Sequence, residues 1–227
     1  MRSPLASATA GYWLVLILIA VSYTICAAQS TPNPSTTAFL VQLLTVAVTL
    51  RVSEVTAPLR RVGWIVLAAA GLAAAGVQLI GTPGHFLDLA LSAASMVAYL
   101  AAPVAILTHQ LRRNTVDGQT LLAAIAAYVL VGMFFTFVYN FIGLLSDAPS
   151  LGDGTEESLT SQLFFSFTTL TTTGYGNLVP TGAVGQSVAI AEAIAGQLFL
   201  VIAVARVVTG WQPSHASRHS APPPPTS

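Results

Sequence analysis

The sequence predicts an all-α integral membrane protein with six transmembrane helices. Three observations predict it: six long apolar runs bounded by charge, Pro or Gly, very few charged residues, and one short amphipathic segment between the fifth and sixth runs. Of the 227 residues, 54% are hydrophobic and 7% are charged, where a soluble domain carries about a quarter. Such a chain is built for contact with membrane lipid. Formal net charge is zero, so the basic footprint of a nucleic-acid partner is missing. All the basic residues are Arg, with no Lys, a usage that fits a bacterial genome rich in G and C.

A hydrocarbon core about 30 Å thick takes roughly 20 helical residues to cross. The runs that meet this are Tyr12 to Ala28, Thr37 to Val55, Val62 to Ile80, Phe86 to Leu107, Thr120 to Leu145 and Ala183 to Val208. Arg51 and Glu54 near the end of the second must lie at the interface or pair with each other. The first run, preceded by Arg2 and ending Cys26-Ala27-Ala28, also fits a secretory signal, although it is long for one. Cys26 is the single cysteine, which excludes an intrachain disulfide and a thiolate metal cage.

Orientation follows from charge. With six spans, Arg2, Arg51, Arg60, Arg61, Arg112, Arg113, Arg206 and Arg218 all fall on or near the side that carries both termini. The positive-inside rule makes that side cytoplasmic, in a multi-pass protein of the plasma membrane. Asp147, Asp153, Glu156 and Glu157 then lie in an external loop. Residues 211–227 are rich in Ser, His and Pro and end near four consecutive prolines, a composition expected to form a disordered tail. The chain therefore divides into a four-span region (1–118), a second membrane unit (119–210) and the tail (211–227).

Between the last two runs, Ser158 to Leu170 is too short to cross a bilayer. It is followed by Thr171 to Gly176, reading Thr-Thr-Thr-Gly-Tyr-Gly, and then Asn177-Leu178-Val179-Pro180. A short helix, a Gly-rich strand and a proline turn describe a re-entrant loop. Non-helical backbone at membrane depth is tolerated only inside protein or along a wet cavity, so this stretch is expected to face a pore. Gly174 and Gly176 allow backbone angles closed to other residues, which lets successive carbonyls face one way.

Thr172-Thr173-Gly174-Tyr175-Gly176 resembles the potassium-channel signature Thr-Val-Gly-Tyr-Gly, with Thr173 at the Val position. The resemblance covers about Ser158 to Val208. It implies a homotetramer with one pore loop per subunit, and a selectivity filter in which Thr172, Thr173, Gly174, Tyr175 and Gly176 bind permeant K+. Rings of oxygen from Thr172 to Tyr175 would replace the ion's water shell. The acidic loop reads first as a solvated loop, and in a tetramer it would also ring the pore mouth and raise local cation concentration. The family also places a hinge glycine sixteen residues beyond the proline, where Gly196 stands with Gln197 beside it lining the cavity; close helix packing among Ala191, Ala193, Ala195 and Ala203 is the alternative reading of Gly196.

Two departures from the family pattern concern the filter's support. Asn177 stands where Asp is frequent, and Thr168, Phe164 and Phe165 stand where some members carry Glu and Trp. Thr168, Thr171 and Asn177 are therefore the filter's expected neighbours, without a carboxylate among them. Glu192 is the remaining candidate. A carboxylate inside a span costs about 2.5–3.5 kcal/mol on insertion scales and marks function by default, so Glu192 is expected to brace the filter from behind.

Other activities find no support in the sequence. The fourth run has no arginine series, so voltage gating by that route is not expected. His85, His109, His215 and His219 form no ligand cluster, and no nucleophile-base set, phosphate loop or dinucleotide motif is present. The expectation is a passive potassium channel, with no catalytic residue and no cofactor beyond the permeant ion. A non-selective cation channel, and a non-conducting scaffold or transporter with a vestigial loop, stay open as alternatives.

Overall fold

The computed structural model describes residues 4–28, 36–52, 61, 64–65, 67–68, 71–72, 85–111, 118–146, 151–152 and 158–210. Six helices are delimited among them: α1 (Pro4–Ala27), α2 (Thr36–Val52), α3 (His85–Leu111), α4 (Gly118–Leu145), α5 (Leu159–Leu170) and α6 (Ala183–Gly210). Three stretches are long and apolar enough to cross a membrane, Asp88–Thr108, Thr120–Leu145 and Ala183–Arg206, and a shorter apolar helix covers Trp13–Ala27. Most of the expected third run, from Val62 to Ile80, lies outside the described residues, as do Asp147, Asp153, Glu156, Glu157 and 211–227. The second run is described as a helix to Val52, and residues 53–55 lie outside the described residues.

The organising element is α4, which packs against α1, α3, α5 and α6, while α2 rests on α1 and α3. Small residues make the α3–α4 seam close. Ala98, Ala102 and Ala105 of α3 and Ala123, Ala126 and Ala127 of α4 are all buried, and small side chains let apolar helices approach where lipid supplies no hydrophobic drive. Larger rings fill the seam toward the other end of α4. Tyr99 stacks on Phe137 with centroids 5.6 Å apart, and its hydroxyl shares a 2.6 Å hydrogen bond with Ser22 of α1. Burial of that hydroxyl is thus matched by a partner, as buried polar groups require.

α1 also reaches α5. Thr160 Oγ1 donates to the Ala27 carbonyl at 3.0 Å, and Tyr23 meets the Phe167 ring edge-on at 5.5 Å. The first helix therefore touches the short helix that precedes the Gly-rich segment. By contrast, α6 packs only on α4 and α5 among the described elements. Ile190, Ile194, Leu198, Val201, Val204 and Val208 remain exposed along it in the single chain.

Candidate functional site

The site begins with the capping of α5. Ser158 stands in extended conformation before the first turn, and its Oγ accepts the Ser161 N–H at 3.1 Å, satisfying one of the free donors of a helix start. At the other end the chain is folded back on the last turn. The Thr171 and Thr172 N–H groups donate to the carbonyls of Phe167 and Thr169, and the N–H groups of Thr173 and Gly174 both donate to the Thr168 carbonyl, at 2.8 and 3.1 Å. Thr168 thus supports the segment through its backbone. Its hydroxyl turns away, donating to the Phe164 and Phe165 carbonyls.

Backbone conformation then alternates. Thr172, Gly174 and Gly176 have φ of +55°, +52° and +78°, while no other non-Gly residue described has positive φ. The two glycines take this region without steric cost, whereas a β-branched threonine is an outlier there. Every residue from Thr171 to Asn177 is exposed in the single chain. Thr171 and Thr173 share a 2.9 Å hydroxyl–hydroxyl bond. Tyr175, 69% exposed, stacks on Phe164 of α5 with centroids 5.7 Å apart and planes 13° from parallel.

The segment is closed at its far end by the chain on either side. The Gly152 N–H donates to the Val179 carbonyl at 2.9 Å, and Leu151 and Pro180 form an isolated antiparallel bridge. Leu151 is buried with Tyr139 and Phe165, and Leu178 packs against them. Gln186 of α6 donates Nε2 to the Pro180 carbonyl at 3.2 Å. Those contacts fix where the turn hands over to α6.

Behind α5 lies a buried polar clasp. Glu192 is wholly buried, with the Tyr139 hydroxyl donating to Oε2 at 2.7 Å and Ser166 Oγ lying 2.6 Å from Oε1. Ser166 Oγ also lies 2.8 Å from the Gly132 carbonyl. The carboxyl of α6 is therefore joined to α4 directly and to α5 through Ser166. Gly132 has its own reason to lack a side chain, because a Cβ there would fall 2.7 Å from the Phe167 ring.

The other end of α5 is gripped at Leu170. Its carbonyl accepts the Tyr128 hydroxyl at 3.2 Å and lies against Gly196, where a Cβ would collide with the Leu170 carbonyl oxygen. One residue on, Gln197 donates Nε2 to Thr172 Oγ1 at 2.9 Å. The residues singled out in the sequence thus gather around one short helix and the loop after it. Tyr139, Ser166 and Tyr128 were not among them. Nothing in linear sequence shows where the hydroxyl of Tyr139 points.

Residues 124–210 match the model of a family described as ion channel. The match takes in most of α4, all of α5 and the Gly-rich segment, and α6 to its end. It supports an ion channel in the membrane and points away from an enzyme, and it leaves α1 to α3 outside. No curated protein and no solved structure matches the chain.

Proposed function

We propose that four copies of this chain assemble around an axis into a potassium-selective channel, with Thr172 to Gly176 as the selectivity filter. The observation that carries this reading is the alternation of left-handed backbone at Thr172, Gly174 and Gly176 inside a segment that matches an ion-channel family. Alternating hand along a short extended chain turns successive carbonyls toward the same side, which a ring of ion ligands needs. Backbone oxygens of Thr172, Thr173, Gly174 and Tyr175, with the Thr172 hydroxyl innermost, then replace the water of a K+ ion.

Each neighbouring element has a part in this reading. α5 re-enters the membrane from outside as the pore helix, and its C-terminal end, worth about half a negative charge, favours a cation below the filter. The exposed apolar residues of α6 are covered by neighbouring subunits and lipid. Glu192, tied to Ser166 and Tyr139, braces the pore helix α5 between α6, the inner helix, and α4, the outer one. Six spans then place both termini in the cytoplasm, and ions move down their gradient without covalent chemistry.

A non-selective cation channel is the second reading. It draws on Thr173 at the position of the usual Val and on the absence of a carboxylate at Asn177 and Thr168. One experiment separates the two. Purified protein in liposomes is expected to carry K+ with a reversal potential that follows the K+ gradient when Na+ is the opposing ion. Equal K+ and Na+ permeability would favour the second reading, and no flux would remove both.

A further inference from the structure

Thr172 combines two features seldom found together. It is a β-branched residue held at φ +55°, a conformation that persists only where its surroundings impose it, and it carries the hydroxyl that the proposed filter places innermost. Its backbone is held by the bond from its N–H to the Thr169 carbonyl at 2.9 Å. Its side chain is held from another helix, by Gln197 Nε2 at 2.9 Å. Gly196 fixes the root of that glutamine, because its missing Cβ lets α6 lie against the Leu170 carbonyl.

The chemistry of this contact bears on ion binding. A threonine hydroxyl has one proton and two lone pairs. An N–H from Gln197 occupies one lone pair and draws electron density away from the other, leaving the oxygen a weaker ligand for a cation and fixing its direction. Without that donor the hydroxyl is free to turn both lone pairs toward the axis.

We propose that Gln197 is a positioning residue for the innermost ion site: through its bond to Thr172 Oγ1 it orients the hydroxyl ring and keeps its hold on the cation weak. Ions are thereby released from the cytoplasmic end of the filter rather than trapped there. This rests on the potassium-filter reading. It differs from a general cavity role for Gln197, because it acts through one oxygen atom.

The test uses the full chain in planar bilayers with Ba2+ as the probe, a divalent ion that dwells in a potassium filter. Gln197→Leu keeps the bulk and removes the donor; Gln197→Asn keeps the amide but shortens its reach. Both are expected to tighten block by cytoplasmic Ba2+ about five- to tenfold, the worth of one net hydrogen bond. In a Thr172→Ser background the hydroxyl remains, and Gln197→Leu should tighten block again. In a Thr172→Ala background it should change block less than twofold. Equal shifts with and without the hydroxyl, or no shift at all, would overturn the inference while leaving the filter reading intact. A wild-type channel that Ba2+ does not block overturns both.

Discussion

Gly196 of α6 and the carbonyl of Leu170 at the end of α5 are in contact so close that no Cβ fits between them. A glycine in a helix interior costs about 1 kcal/mol relative to alanine, so its presence needs a reason, and here the reason is local. The contact brings α6 to the last turn before Thr172. It gives Gly196 a packing role that owes nothing to bending.

Gly196→Ala is accordingly expected to destabilise the protein by about 1–3 kcal/mol, the range for overpacking a well-filled site. Either α6 moves away or the Leu170 carbonyl moves, and the second disturbs the turn that leads into Thr172. A lowered melting temperature together with reduced K+ over Na+ selectivity checks this. A pure hinge would instead lower open probability while raising stability by about 1 kcal/mol, the helix cost of glycine relative to alanine.

The clasp at Glu192 makes a second prediction. Tyr139→Phe removes the donor at 2.7 Å from Oε2 and leaves a buried acceptor without its partner, which should cost about 1–3 kcal/mol. Glu192→Ala removes both of its contacts and should cost more. Because the two side chains touch, the double substitution should cost less than the sum of the singles. Chemical denaturation of the purified protein in detergent measures all three, and strict additivity would show that the two groups are not coupled.

Contact between α1 and α5 makes a third. Thr160→Val removes the bond to the Ala27 carbonyl and should cost about 0.5–1.5 kcal/mol. The effect is expected to be local. Hydrogen exchange should quicken at the amides of the first turns of α5 and stay unchanged in the α3–α4 seam, where Tyr99 and Phe137 hold the helices together. Unchanged exchange in α5 would mean that α1 does not steady the short helix.

How much of this was legible beforehand depended on the kind of interaction. Hydropathy is a property of runs of residues, so the stretches Asp88–Thr108, Thr120–Leu145 and Ala183–Arg206 stand close to the runs read from sequence. The break after Leu170 was legible as well, because Gly174 and Gly176 sit two apart beside a short amphipathic helix. Pairings across long separations were not. Glu192 called for a partner because a membrane acid is costly alone, yet Ser166 and Tyr139, 26 and 53 residues away, carry no mark of their own. Thr172 was legible as a candidate ligand, but its left-handed backbone was not, since a β-branched residue is the last expected there. The placement of α1 against α5 belongs to tertiary packing, which uniform apolar sequence does not encode by pattern.

The stack of Tyr175 on Phe164 supplies the last prediction. In the proposed filter, Tyr175 contributes a carbonyl to the ion path while its ring lies flat against the pore helix, 13° from parallel. The ring contact therefore sets how far the strand stands from α5, and with it the spacing of the oxygen rings. Aromatic pairs of this kind are worth about 0.5–1.5 kcal/mol beyond their buried area. Phe164→Leu keeps the apolar bulk but loses the flat partner, so the strand should gain freedom and Na+ should permeate more readily. Phe164→Tyr keeps the ring and should preserve selectivity. Reversal potentials in opposing K+ and Na+ solutions give the comparison, and a leucine variant as selective as wild type would show that the filter's spacing is held by its backbone bonds to Thr168 and not by this stack.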